Sequence, residues 1–397
     1  MPALTAALLA YISRVFKLDA AYWAKNGFWL VSRRIVSMAT VFLVAVAFAN
    51  LLPKEVYGTY KYLLSVFAVL SAFTLSGMNA AVEQSIARGF EGSLREGYRI
   101  KRTWNLVASA VALGVASYYV LQANYAFAAA YAAFAVLFPL WDASMLFDEY
   151  VRAKENFKRS ATLDMVQQTG VSIALIVGVL ALPNTPLTLA LIYLAVQTAF
   201  SAYFYKKIAK QIPASAADDP GTVRYAGHLS VINVVGAVAN QIENILLFRL
   251  LGPAQLAVYA FATAIPEQMK GVLANIGTMA FPRFAKRDLA SSRRSLIAKI
   301  PLLALIGVAA VGSYLLVAPF IYRTFFPAYL ESVSYSQVFA LSLLNMVIAP
   351  SAVILQAHKK TREQYASNLI SSFSRIVIVT VFLSVWGIWG LVFARIL

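Results

Sequence analysis

The side chains here that can do chemistry are the few ionisable ones set inside long apolar stretches. A charge in hydrocarbon costs several kcal/mol and is kept only with a partner or a task. Glu267 and Lys270 stand in the apolar stretch 254–281, with Pro266 immediately before them. At about 1.5 Å of rise per residue, Glu267 lies roughly 20 Å along its helix, near mid-membrane, and Lys270 follows one turn later on the same face. Pro266 removes a backbone hydrogen bond, so a kink is expected there. Two readings of the pair stay open. It is an internal ion pair, or Lys270 is a compact cation for a diphosphate while Glu267 balances or gates it.

The stretch 228–250 carries the polar run Asn240-Gln241-Ile242-Glu243-Asn244. Asn240 and Asn244 share a helix face with Glu243 beside them, and so many polar groups cannot face lipid. That face lines a cavity or packs on another helix, and Glu243 is a candidate proton or sodium site. Arg375 sits about nine residues into the stretch 366–386, too deep for easy snorkelling, and either faces a lumen, the favoured reading, or makes a structural pairing. Lys61 is near enough to the outer end of its stretch to snorkel. Arg33 and Arg34 fall at an inner end, where they either act as ordinary interfacial charges or line an inward-facing mouth and meet pyrophosphate first. Glu83, Asp142 and Asp164 also lie near inner ends and read as interfacial charges. Arg395, close to the end of a short last stretch, receives no role.

The elements that position these residues follow from composition. Of 397 residues, 60% are hydrophobic and 13% charged, with 34 Lys plus Arg against 17 Asp plus Glu and a net charge of +17. A soluble domain has about 25% charge, so water is not the main solvent. The absence of Cys excludes disulfide frameworks, Cys-rich zinc sites, iron–sulfur clusters and Cys nucleophiles. Neither His228 nor His358 has metal-ligand spacing, and no cofactor is expected. A bilayer core about 30 Å thick needs about 20 apolar residues per helix. Such stretches cover 33–52, 58–81, 103–122, 125–147, 161–182, 185–205, 228–250, 254–281, 300–322, 334–356 and 366–386, and a twelfth, incomplete one begins at Gly387. The expected fold class is an all-α polytopic membrane protein.

Charge then orients the chain, because cytoplasmic loops collect Lys and Arg. Long loops on one side hold 27 of the 34 basic residues, which places the N-terminus in the cytoplasm and assigns the excess charge to an anionic inner leaflet rather than to nucleic acid. Residues 1–32 read as an amphipathic segment lying on that leaflet. Leu52-Pro53-Lys54-Glu55-Val56-Tyr57-Gly58-Thr59-Tyr60 and Leu251-Gly252-Pro253-Ala254-Gln255-Leu256-Ala257-Val258-Tyr259 lie 199 positions apart. The chain therefore divides into a first lobe, 33–205, a cytoplasmic linker, 206–224, and a second lobe, 225–397. An even number of helices per half gives both the same orientation, as in transporters whose parallel repeats enclose the substrate site.

Several segments resemble the polysaccharide transporter (O-antigen flippase) branch of the multidrug, oligosaccharidyl-lipid and polysaccharide exporter superfamily. They are Tyr57-Gly58-Thr59-Tyr60, Leu75-Ser76-Gly77-Met78-Asn79, Ile86-Ala87-Arg88, Phe281-Pro282-Arg283-Phe284-Ala285-Lys286, Phe325-Phe326-Pro327-Ala328-Tyr329-Leu330-Glu331 and Trp386-Gly387-Ile388-Trp389-Gly390-Leu391. The resemblance implies two pseudo-symmetric six-helix lobes around a cationic central cavity and, as substrate, an oligosaccharide linked through pyrophosphate to a polyprenol. The short twelfth stretch departs from that pattern.

The expected function is a flippase in the inner membrane, acting as a monomer among membrane lipids and carrying the lipid-linked oligosaccharide from the cytoplasmic to the outer leaflet. Lys270, Arg375, Arg33, Arg34 and Lys61 would bind substrate, and Glu267, Glu243, Asn240 and Asn244 would couple an ion, proton or sodium, or gate. The alternative is a multidrug or metabolite antiporter of the same superfamily. An enzyme is disfavoured by outer loops that are short and nearly free of acids, and by the lack of a phosphate-cradling Gly-rich motif.

Overall fold

The computed structural model describes residues 20–279, 289–347 and 361–396. Helices α1 (Ala20–Leu51), α2 (Lys54–Ser71), α3 (Met78–Ala87), α4 (Ser93–Leu121), α5 (Tyr125–Ser144), α6 (Leu146–Ala153) and α7 (Phe157–Ala181) come first. They are followed by α8 (Pro186–Ala209), α9 (Thr222–Leu251), α10 (Pro253–Met279), α11 (Leu289–Phe325), α12 (Ser332–Phe339) and α13 (Thr361–Ile396). Two short 3-10 helices, Pro327–Tyr329 and Ala340–Val347, flank α12, and no strand occurs among the described residues. Seven helices among these residues are long and apolar enough to cross a membrane: 27–51, 93–121, 125–153, 157–181, 186–209, 300–325 and 370–396. The surface segment expected at 1–32 falls for residues 1–19 outside the described residues, as do Phe281–Lys286 and His358.

Two departures from the apolar pattern have local causes. The stretch 58–81 is not one helix: α2 ends at Ser71, and Thr74 to Gly77 form a turn before α3. The Gly77 amide there donates to Ser230 Oγ at 2.9 Å, and a Cβ on Gly77 would meet the Ala226 carbonyl at 2.4 Å, so only glycine lets these two backbones approach. In α13, Gly387 adopts φ 59°, ψ −137°, the conformation of the first central residue of a type II′ turn and one that glycine alone adopts cheaply. The chain folds back there, and a Cβ on Gly390 would strike the Phe382 carbonyl.

The chain packs as two units. The first holds the described residues up to Ala45, Thr74–Gly178 and Leu191–Ser230. Its core joins Met78, Val82, Leu94, Leu146, Phe147, Phe204 and Ile208, and α4 packs along α5 through a turn in which Asn124 Oδ1 caps the Phe127 amide at 3.2 Å. The second holds Val46–Phe73, Val179–Ala190 and the described residues from Val231 onward. Here the two copies of the sequence repeat lie against each other, since α2 packs on α10 so closely that a Cβ on Gly58 would fall 1.8 Å from the Pro253 carbonyl oxygen. Tyr57 meets Phe261 with ring centroids 4.9 Å apart, and Lys54 ion-pairs with Glu331.

The loop before α9 is tied into the first unit through Asp219. Its carboxylate accepts from Ser85 Oγ at 2.8 Å and from Arg88, and its amide donates to Ser93 Oγ at 3.0 Å. Gly92 donates to the Ala217 carbonyl at 3.1 Å, and Arg95 to that of Pro213 at 3.1 Å. The Gly221 amide and then Ser85 hold the Asp219 carboxyl below the usual carboxylate range. A depressed folded pKa contributes stability above the unfolded value, about 3.9, and loses it as pH falls through the folded one. Limited proteolysis should therefore find residues 210–221 protected at neutral pH in the wild type and cleaved there in Asp219→Asn, and the wild type should lose that protection only below about pH 4.

Candidate functional site: a charge cluster within the second unit

Helix α9 presents Glu243 about eight residues before its C-terminal end, where the polar run Asn240 to Asn244 interrupts an apolar face. Glu243 is buried, 6% exposed, and such a carboxylate persists only with partners. It has two. Arg375, on the first limb of α13, approaches Glu243 Oε1 at 3.3 Å and donates to Asn240 Oδ1 at 2.7 Å. Arg395, on the limb that follows the Gly387 turn, reaches the same Oε1 at 3.6 Å. The turn thus brings two guanidinium groups 20 positions apart in sequence to one carboxylate oxygen.

Arg395 also pairs with Glu267 of α10, and Glu267 pairs with Lys270 at 3.2 Å. The ammonium of Lys270 lies 4.4 Å from the ring centroid of buried Phe339 and the guanidinium of Arg395 lies 5.7 Å from it. Cation–π attraction strengthens when the cation is desolvated, so Phe339 stabilises two like charges that would otherwise repel. Two carboxylates and three cations leave one positive charge in excess. Chemically the cluster is an anion-attracting site in which two carboxylates already occupy part of each cation.

The internal Glu267–Lys270 ion pair is thus formed, and Asn240, Glu243, Glu267, Lys270 and Arg375 come together. Asn244 instead donates to Ser65 Oγ of α2 at 3.0 Å. Lys61 lies one turn before Ser65, half-buried, with its ammonium 5.8 Å from the Tyr57 ring centroid. Arg33 and Arg34 belong to the first unit. Arg33 is engaged by Asp164 at 2.8 Å and by Asp148 at 3.7 Å, and Arg34 is half-buried beside it.

Two residues take parts that the sequence does not disclose. Arg395 received no role, although a charge in the apolar run Leu391 to Leu397 was visible, because its register depends on the turn at Gly387. Lys101 reads as a loop cation but is 1% exposed. It donates to Asn79 Oδ1 at 2.7 Å and pairs with Asp142 at 3.1 Å. Asn79 in turn donates to Glu149 at 2.8 Å, and Arg152 gathers Glu83, Asp148 and Glu149. Asp142 and Glu83 are accordingly members of an internal network rather than isolated interfacial charges. Among the described residues no group of three or more His, Cys, Asp or Glu is placed to hold a metal ion.

The chain is thus an all-helical polytopic membrane protein with ionisable groups paired inside apolar helices. Solved structures share the fold. The lipid II flippase MurJ in an inward closed conformation superposes with a TM-score of 0.63 at 14% identity, covering 94% of this chain and 84% of that one. An inward-facing multidrug resistance MATE family transporter of the MOP superfamily gives 0.61 at 13% identity, covering 91% and 94%. A MOP superfamily transporter from Pyrococcus furiosus, described by the reverse polarity of its binding pocket, gives 0.57 at 14%, covering 94% and 92%. No curated protein sequence matches the chain. The sequence profile of the family described as "Polysaccharide biosynthesis protein" matches residues 23–288, and the chain belongs to that family.

Proposed function

We propose that this protein flips a polyprenyl-pyrophosphate-linked oligosaccharide from the cytoplasmic to the outer leaflet of the inner membrane during cell-surface polysaccharide synthesis. The observation that carries the proposal is the excess cation of the Glu243–Arg375–Arg395–Glu267–Lys270 cluster within apolar helices. A diphosphate must leave water to cross, and cations in a low-dielectric setting offset much of its desolvation. Lys270 and Arg375 would take the phosphoryl oxygens, while Glu267 and Glu243, with Asn240 and Asn244, gate the site or carry a coupling proton or sodium ion. Arg33, Arg34 and Lys61 would serve the head group on entry and exit. Lobes 33–205 and 225–397, joined by 206–224, would rock around the substrate with the N-terminus in the cytoplasm, and the prenyl tail would stay in lipid.

Coupling follows from competition. Each cation of the cluster is held by a carboxylate, so an arriving diphosphate would compete with Glu267 for Lys270 and Arg395, and loss of the Arg395–Glu267 pair would free α10 to move relative to α13. The test is flipping of a fluorescent polyprenyl-pyrophosphate oligosaccharide in proteoliposomes. Wild type should flip it, and Lys270→Ala should slow flipping at least about tenfold, since a lost charged contact is worth about 1.5–3 kcal/mol. Unchanged flipping in the variant sinks the cationic site. The likeness to a multidrug MATE transporter favours a second reading, an antiporter of small molecules. Absence of flipping by wild type together with gradient-driven drug uptake would establish it.

A further inference from the structure

The first unit carries a group of exposed cations that no carboxylate holds. Arg99 and Arg102 of α4 and Lys206 of α8 are exposed, and among the described residues none of their side chains ion-pairs or hydrogen-bonds. The two helices meet there. Tyr98 stacks on Tyr205 with ring centroids 4.1 Å and planes 15° apart, and Arg95 donates to the Ala209 carbonyl at 3.1 Å. Position 98 thus meets 205 and position 95 meets 209, so α4 and α8 run antiparallel.

At about 100° of turn per residue, Arg102 lies about 40° and Arg99 about 100° round α4 from Tyr98, and Lys206 about 100° round α8 from Tyr205. In antiparallel helices equal rotations along each chain lead to the same side of the contact. The three cations therefore flank one groove. Glu96, the one acid of α4, lies about 160° from Tyr98, and α8 has no acid. The cationic stripe of α4 continues through exposed Leu106 and Leu113, at about 80° and 60°. Half-exposed Trp104 stands where the cations end and the apolar side chains begin, the position aromatic residues take at a membrane–water interface. On the groove side of α8 lie Ala199 and Ala202, whose small side chains keep that surface low.

Charge and depth restrict the occupant. A phosphodiester at the level of Trp104 suits two guanidinium groups, which bind phosphate oxygens in a fork, and acyl chains below it meet Leu106 and Leu113. A zwitterionic headgroup would set its own ammonium against three cations. We propose that the α4–α8 groove seats an anionic phospholipid, with its phosphate on Arg99 and Arg102, Lys206 beside them and its chains along α4. This assigns one lipid to one groove, beyond a general attraction of basic loops to a leaflet, and it does not depend on the flippase reading.

The test is Trp104 fluorescence in the full chain reconstituted in phosphatidylcholine bilayers, read as the difference between each protein and its own Trp104→Phe partner. Brominated phosphatidylglycerol, which quenches Trp on contact, is titrated in, and brominated phosphatidylcholine is the comparison. Wild type should reach half-quenching at a lower fraction of phosphatidylglycerol than of phosphatidylcholine. Arg99→Gln with Arg102→Gln should raise the phosphatidylglycerol fraction needed about twentyfold and Lys206→Gln about fivefold, at roughly fivefold per cation. These side chains are exposed and unpaired, so the variants should keep the wild-type unfolding midpoint in phosphatidylcholine. Lys207→Gln, about 160° round α8 on the other side, should change nothing. Equal quenching of wild type by the two lipids, or a shift by Lys207→Gln as large as that of the arginine pair, leaves only diffuse attraction and overturns the site. Displacement of the brominated lipid by equimolar sugar-free polyprenyl diphosphate makes the groove a substrate port and overturns it too.

Discussion

Arg395→Ala is expected to lower the proposed flipping about a hundredfold, because truncating one partner of a buried, hydrogen-bonded charge pair costs about 2–5 kcal/mol and every tenfold is about 1.4 kcal/mol. Arg395 is the one residue of the cluster that touches both Glu243 and Glu267, so its loss separates the α9 and α10 carboxylates from each other. The cost in stability is smaller. Glu243, with a side chain 8% exposed, keeps Arg375, and Glu267, 39% exposed, keeps Lys270 and some access to solvent. We expect about 2 kcal/mol, below the 3–5 kcal/mol of a fully buried broken pair. Adding Glu267→Gln to Arg395→Ala should restore stability and not flipping, which separates the electrostatic role from the functional one. Wild-type flipping by Arg395→Ala would show that the cluster serves packing alone.

Gly58→Ala is expected to lower the thermal unfolding midpoint by several degrees at a fixed scan rate. The new Cβ would lie 1.8 Å from the Pro253 carbonyl oxygen and 2.6 Å from its carbon, both backbone atoms that no rotamer can move. Helices α2 and α10 must separate by more than an ångström. Overpacking of this kind costs about 1–3 kcal/mol, sometimes more, and it loosens Tyr57 from Phe261 as well. Gly114→Ala is the control. Its Cβ would meet nothing within 4 Å, and alanine in a helix interior is favoured by up to about 1 kcal/mol over glycine. A Gly58→Ala midpoint within a degree of the Gly114→Ala value would refute the close approach.

The resemblance motifs prove useful for geometric reasons. Tyr57-Gly58 marks where one repeat copy rests on the other, Phe325 to Glu331 carries the 3-10 turn whose Glu331 holds Lys54, and Gly387 supplies the positive φ that folds α13 back. Each was legible as a motif, and none disclosed its partner. The break in the stretch 58–81 was not legible from hydropathy, because Thr74, Leu75 and Ser76 are apolar enough to sit in either a helix or a turn. The turn that follows α2 is held by the Gly77 amide donating to Ser230, 153 positions away.

The amino-acid sequence by itself determined that the chain lives in a membrane, where its apolar segments run, and which charges are too deep to be incidental. Hydropathy and depth are local properties, readable from a window of about 20 residues. The tertiary structure decided which of those charges meet. Arg375 and Arg395 converge on Glu243 from 132 and 152 positions away, and Lys101 becomes an interior cation through Asn79 and Asp142. An ion pair forms only where helix packing brings the two charges within a few ångströms, and neither the turn at Gly387 nor the packing of α13 on its neighbours is encoded in any one segment. A charge was therefore visible at Arg395, and its role was not.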